Sequence, residues 1–224
     1  MSDVKGKVFI VQGPTASGKT TLAIQLAKKF QTEIISADSR QFYQEMSIGT
    51  AKPSSGELAQ VKHHFVHSHS IYNEVSASQY AQVAKPILDD LLARNQAAVI
   101  VGGSGMFIDA LTLGLDEIPH DKKVQEKWIA LHETEGLEFL QNELARLDPV
   151  YFAEVDTNNP VRLIRALEVI ELTQKPFSES RKGKVKYDYD IVRYGIAWNR
   201  SDLYERIDQR VDFMIEAGLF QEAK

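Results

Sequence analysis

The chain has 224 residues, 43% of them hydrophobic and 25% charged, with a formal net charge of −5. That balance allows a globular core and argues against a surface that is basic throughout, though not against a local basic patch for nucleic acid. The absence of cysteine excludes disulfides and thiolate metal sites and suits a reducing compartment; with no signal h-region and no apolar run long enough to span a bilayer, a cytoplasmic protein without membrane association is expected.

The first element is an apolar run, Val8-Phe9-Ile10-Val11, which reads as a short buried strand starting almost directly after residues 1–5. It leads into Gly13-Pro14-Thr15-Ala16-Ser17-Gly18-Lys19-Thr20, which fits the phosphate-loop pattern G-x-x-x-x-G-K-[ST]. Leu22, Leu26 and Phe30 then recur every fourth residue, as one face of a helix. Strand, glycine loop and helix start thus arrive in the order that a phosphate cradle requires. Glycines let consecutive N–H groups turn inward, and the helix N-terminus adds positive potential. Lys19 is placed to reach the outer phosphates and the Thr20 hydroxyl to hold Mg²⁺, so a di- or triphosphate ligand is expected.

Residues 33–37 read as a second strand ending in Asp38, and residues 97–101 as a third ending in Gly102-Gly103. Between them Ser76-Ala77-Ser78-Gln79 forms a capping box that opens a helix to about Arg94, with Pro86 expected to kink or interrupt it. A βαβα series of this kind calls for a parallel sheet with helices on both faces. From 115 to 184 the texture changes to charged amphipathic helices, at 124–132, 137–147 and 160–173, the last with Asn159 as N-cap and Pro160 at the first helical position. Strand character returns at 191–198. A helix follows, with Ser201 as cap and Leu203, Ile207, Met214 and Ile215 as its apolar face. No Gly or Pro is read as ending that helix, and the chain looks cut off at Lys224. The expected layout is a core of 1–114, a helical insertion of 115–184, and a return to the core over 185–224.

Asp38 closes the second strand, and carboxyl ends of parallel strands face the ligand crevice, so Asp38 and the phosphate loop should share one cleft. A carboxylate there could be a Mg²⁺ ligand, a general base or a helix cap; Ser39, Arg40, Gln41 and Tyr43 beside it could read a base. The third strand ends in Gly102-Gly103-Ser104-Gly105 rather than in an acid, which weakens a motor ATPase or GTPase reading. The His63, His64, His67 and His69 group has no cysteine or acid nearby to complete a metal site, and core or surface histidines are favoured. Arg162 and Arg165, and Arg206 and Arg210, are solvated ion-pair residues by default, or neutralisers of leaving-group charge if they lie at a polyphosphate. The basic run at 181–186 reads as a solvated loop or as a nucleic-acid patch.

These motifs together resemble the tRNA dimethylallyltransferase (tRNA isopentenyltransferase) family along nearly the whole chain. The resemblance rests on the 13–20 loop, Asp38-Ser39-Arg40-Gln41-Phe42-Tyr43, Gly49-Thr50-Ala51-Lys52-Pro53, His63-His64, Gly102 to Phe107, Asn159 to Val169, and Leu203 to Leu219. It implies an α/β, P-loop NTPase-like parallel sheet flanked by helices, with a helical insertion that binds tRNA, and a missing C-terminal part. It also implies transfer of a dimethylallyl group from dimethylallyl diphosphate to N6 of the adenosine adjacent to the anticodon, with Mg²⁺ and the tRNA anticodon arm as partners and a monomeric enzyme. Asp38, Thr20, Arg206 and Arg210 are the implied catalytic groups. Gly13, Pro14, Thr15, Ala16, Ser17, Gly18, Lys19 and Thr20 hold the diphosphate, and Asp38, Ser39, Arg40, Gln41, Ser104, Arg162 and Arg165 meet the tRNA. Three rivals remain: a small P-loop kinase of nucleoside or shikimate type, a prenyltransferase acting on free adenine nucleotides, and an RNA-binding module inactive through truncation.

Overall fold

The computed structural model describes residues 6–114, 118–180 and 187–224; the segments at 1–5 and 181–186, including the basic run, lie outside the described residues. The backbone falls into two compact units, Met1–Gly114 with Val185–Lys224, and Leu115–Lys184. The first unit holds β1 (Lys7–Gln12), α1 (Lys19–Lys29), β2 (Ile34–Ser36), α2 (Ser55–Leu58), β3 (His63–His64), α3 (Ala77–Asn95), β4 (Ala97–Val101) and α4 (Gly105–Leu113). The second holds α5 (Lys122–Glu135), α6 (Leu137–Leu147), α7 (Pro149–Glu154) and α8 (Pro160–Thr173). The chain then returns to the first unit through β5 (Asp190–Gly195), α9 (Arg200–Glu216) and α10 (Leu219–Glu222). All strand pairs are parallel, in the order β3-β2-β4-β1-β5.

The buried stretches of the central strands, Val8–Val11 of β1, Ile34 and Ile35 of β2 and all of β4, are apolar because the sheet is covered on both faces. Alternation then sorts the side chains. Val8, Ile10, Ile35, Ala98 and Ile100 pack with Leu88 and Leu91 of α3 and Ile108 and Leu111 of α4. Phe9, Val11, Ile34, Val99 and Val101 pack with Ala23, Ile24, Leu26 and Ala27 of α1. The carboxyl ends of β1, β2, β4 and β5 therefore line up along one edge of the sheet.

Several local expectations need correction. Helix α3 runs unbroken through Pro86, because Pro86 and the Gln82 carbonyl it deprives of a partner both lie on the exposed face, where water can solvate the orphan. β5 ends at Gly195, earlier than expected: after a last ladder bond from Ile196 N–H to Gln12 O (3.0 Å) the chain leaves the sheet. The N-cap of α9 is Asn199, not Ser201, whose hydroxyl bonds the neighbouring Asp202 carboxylate. Gly218, at φ 101°, does separate α9 from α10. No residue of α9 is buried, so its apolar side chains are not core.

In the second unit, Trp128 of α5, Leu140 and Leu144 of α6, and Leu163, Ile164 and Leu167 of α8 form one core. Helices α5, α7 and α8 start on side-chain caps, whereas α6 starts from Gly136 without one. Asp121 accepts from Lys123 and Val124 N–H, Asp148 from Tyr151 N–H, and Asn159 from Arg162 N–H. The Asp121 cap starts α5 earlier than its apolar periodicity indicated.

Candidate active site

The phosphate loop leaves β1 in a conformation that its residues make possible. A Cβ on Gly13 would come within 2.8 Å of Ser17 Oγ and 3.3 Å of Ile196, so a larger residue would crowd both. Ala16 (φ 60°) and Gly18 (φ 90°) take left-handed backbone, the alternation that turns neighbouring N–H groups to one side. Gly18 caps α1 without any side-chain bond, so the helix N-terminus stays open to an anion. Lys19 Nζ donates to the carbonyls of Gly13 (2.9 Å) and Pro14 (2.6 Å). Burial lowers the Lys19 pKa, the neighbouring Asp38 charge opposes that, and Arg210 adds to it.

Asp38 reaches the same place from β2. Ala37 N–H continues the ladder to Val101 O (2.7 Å), and Gly102 then passes so close that a Cβ would lie 2.3 Å from Ala37 O. What approaches the Gly102 turn closely is the backbone of Ala37 and Asp38, just past β2. This contact sets Gly103 and Ser104 beside Asp38, whose Oδ1 accepts from Arg40 N–H at 3.1 Å. Two adjoining cavities share Thr15, Asp38 and Arg210 as walls. One, of about 400 Å³, is lined by the phosphate loop with Lys52 and Arg206. The other, of about 460 Å³, is lined by Ser39, Arg40, Gly103, Ser104, Ile207 and Met214, among others. Loop and aspartate open into one cleft, polar and cationic at one end and mixed at the other.

Arg206 and Arg210 of α9 share a helix face yet have different surroundings. Arg206 Nε donates to Ala16 O (2.9 Å) and its guanidinium lies 4.5 Å from the centre of the Trp198 ring. Arg210 borders both cavities, and its buried Nε has no hydrogen-bond partner among the described residues. Burial lowers the Arg210 pKa, with Asp38 opposing. Ile207 and Met214, two residues of the apolar face read from the sequence, line the cavity. Lys52, Trp198 and Val211 lie at the cleft or against the loop although no chemical role was assigned to them from the sequence; a lysine in a loop or an aromatic before a helix shows its partners only once the fold closes.

The remaining candidates are placed unequally. Ser39, Arg40 and Ser104 line the cavity with Asp38, whereas the Gln41 amide is taken up by Thr50 O and Ala51 O at 3.3 and 3.2 Å. Arg162 is exposed on α8 in the other unit. Arg165 is held inside that unit by Glu168 (2.7 Å) and by the carbonyls of Pro119 and Ile118, a structural use that its spacing did not disclose. His63, His64 and His67 bond Val61 O, Glu33 and Lys52 respectively.

A clasp fixes the far end of the α9 wall. The Glu222 carboxylate accepts from the N–H groups of Ser47 (2.8 Å), Ile48 (2.7 Å) and Gly49 (2.8 Å). Since α9 buries nothing of its own, Glu222→Ala should free it locally, with hydrogen exchange at residues 47–49 accelerating roughly tenfold or more. Unchanged exchange there would show that the clasp holds nothing.

A magnesium ion bound with a diphosphate needs only one or two protein oxygens, because it keeps several waters and takes phosphate oxygens. The Thr20 hydroxyl on the wall of the loop cavity fits that sparse requirement. Among the described residues no helix is long and apolar enough to cross a membrane.

Comparison with known proteins gives one answer. Residues 41–224 match the family model described as IPP transferase. The chain is 41% identical to the tRNA dimethylallyltransferase of Cytophaga hutchinsonii, spanning all of this chain and 74% of that protein. It is 44% identical to tRNA dimethylallyltransferase 2 of Azobacteroides pseudotrichonymphae, over 97% of this chain and 71% of the relative. Among solved structures it is similar to the tRNA isopentenylpyrophosphate transferase of Bacillus halodurans, with TM-score 0.64 and 35% identity over 97% of this chain and 68% of that one. It is also similar to a eukaryotic dimethylallyltransferase acting on tRNA, with TM-score 0.80 and 27% identity, over 97% of this chain and 55% of that one. With an α/β parallel sheet, a phosphate loop beside Asp38 and relatives of this identity along its length, the chain belongs to the IPP transferase family.

Proposed function

We propose that this chain transfers the dimethylallyl group of dimethylallyl diphosphate to N6 of the adenosine adjacent to the anticodon in tRNA. The observation that carries the proposal is the shared wall of Thr15, Asp38 and Arg210, which joins a phosphate-loop cavity to one suited to a base. The diphosphate lies in the loop, against Lys19 and the start of α1. The adenine, extruded from its stack, enters beside Ser39, Arg40 and Ser104. The N6–C bond forms as the C–O bond to diphosphate breaks; Asp38 takes the amine proton, and the leaving pyrophosphate's charge is met by the loop amides, Lys19 and Arg210. Arg210 suits the last task better than Arg206, whose Nε already holds Ala16 O. Thr20 would hold Mg²⁺, which when bound supplies further positive charge to the leaving group. The 115–184 unit, with Arg162 exposed, grips the anticodon arm through its phosphates, and the protein acts as a monomer.

The test is mass spectrometry of tRNA incubated with the full chain, labelled dimethylallyl diphosphate and Mg²⁺, with ATP as the control donor. The expected result is one dimethylallyl group on a single adenosine and no consumption of ATP. Failure of the diphosphate donor, with nucleoside triphosphate as the sole ligand of the loop, would return the kinase reading.

A further inference from the structure

The segment between β5 and α9 lies over the outside of the phosphate loop. Ile196 packs against Gly13, within 3.3 Å of where a Cβ would lie. Two residues on, the Trp198 indole N–H donates to Ser17 O at 3.0 Å. Arg206 lies over the Trp198 ring and donates to Ala16 O at 2.9 Å. Two successive loop carbonyls are thus each held by a donor from this segment or from α9, and the two donors are stacked on each other. Those carbonyls belong to the turn in which Ala16, a non-glycine residue, takes φ 60°. Left-handed backbone at alanine is unfavourable and persists only when its surroundings impose it. Inside the loop, Lys19 Nζ holds the carbonyls of Gly13 and Pro14 but not those of Ala16 and Ser17; the buried Ser17 hydroxyl has no partner among the described residues, and the bond from Ser17 N–H to Pro14 O is long, at 3.4 Å.

We propose that Trp198 is a positioning residue for the diphosphate, pinning the phosphate loop in its binding shape through Ser17 O and through Arg206. It touches neither substrate; it acts by keeping the Ala16 and Ser17 carbonyls engaged from outside so that the loop amides are pre-set for the anion. The proposal rests on the loop being a diphosphate site. Trp198→Phe keeps a ring under Arg206 but removes the N–H, and Trp198→Ala removes both. Calorimetry with inorganic pyrophosphate and Mg²⁺ should show affinity about fivefold weaker for the first, as for one lost hydrogen bond, and roughly twentyfold weaker for the second. The KM for dimethylallyl diphosphate should rise in step, while kcat and tRNA affinity change little. Trp128 and Trp198 are the two tryptophans of the chain, so Trp128→Phe leaves Trp198 as the sole indole; its emission should shift on pyrophosphate saturation whether or not the Trp198 variants fold. If wild type binds pyrophosphate and the variants bind it equally well, or Trp198 emission stays still, the positioning role is wrong. Absence of pyrophosphate binding by wild type removes the diphosphate reading itself, and this proposal with it.

Discussion

Asp38→Ala and Asp38→Asn are expected to abolish prenyl transfer, by about a thousandfold or more, while tRNA binding stays within a few fold. The two variants separate chemistry from structure. Asp38 Oδ1 also accepts from Arg40 N–H, and asparagine can keep that bond, so the asparagine variant should hold the loop and lose only the base. Pyrophosphate binding should be unchanged or tighter in both, because a negative charge beside Lys19 and Arg210 has been removed. Single-turnover prenylation, filter binding of tRNA and pyrophosphate calorimetry give the three readouts. Wild-type turnover by either variant would take Asp38 out of the base role.

The second large effect is on stability. Glu168 is fully buried in α8, where Oε1 accepts from His120 Nδ1 and Asp121 N–H and Oε2 from Arg165. Glu168→Ala should cost about 3 kcal/mol, since it takes the counter-charge from a partly buried guanidinium and the acceptor from the Asp121 N–H, and leaves a cavity in α8. Denaturant unfolding followed by the emission of Trp128, which lies in the same core, measures it; a loss below about 1 kcal/mol would refute the account. Burial by itself would raise the Glu168 pKa, but the bonds from Arg165, Asp121 N–H and His120 outweigh it and hold the carboxyl below its usual range. A depressed folded pKa means stabilisation that is complete above the ordinary carboxylate value and is lost as pH falls through the lower, folded one. Wild type should therefore unfold more readily only below the usual carboxylate range, and Glu168→Gln should flatten that acid dependence.

The same pair shows where reading residues in order stops. Arg162 and Arg165, three apart on one helix, looked alike as candidates for tRNA. Arg165 is consumed by Glu168 and two carbonyls of the segment preceding α5. Arg206 and Arg210 share a helical face by spacing, yet the first is spent on Ala16 O and the second borders both cavities. In each case the deciding partners lie far off in the chain, and spacing along one helix carries no information about them.

What the sequence determined alone is what local chemistry encodes. The glycine-rich loop after an apolar strand, the helix cap at Asn159-Pro160, the strand at 97–101 and the aspartate closing the second strand are all short-range patterns, set by backbone sterics, capping bonds and alternation over a few residues. Their ordered combination was enough to point to the family. Only the tertiary structure decided that Gly102 exists to let β4 and β2 touch, that α9 supplies a cavity wall and no core, and that Glu222 and Trp198 hold the two ends of that wall and the loop beneath it. The physical reason is separation: Glu222 and Ser47 are 175 positions apart, and Trp198 and Ser17 are 181. A hydrogen bond between such residues becomes available only after the sheet has brought the carboxyl ends of its strands to one edge, and no property of either residue's neighbours announces it.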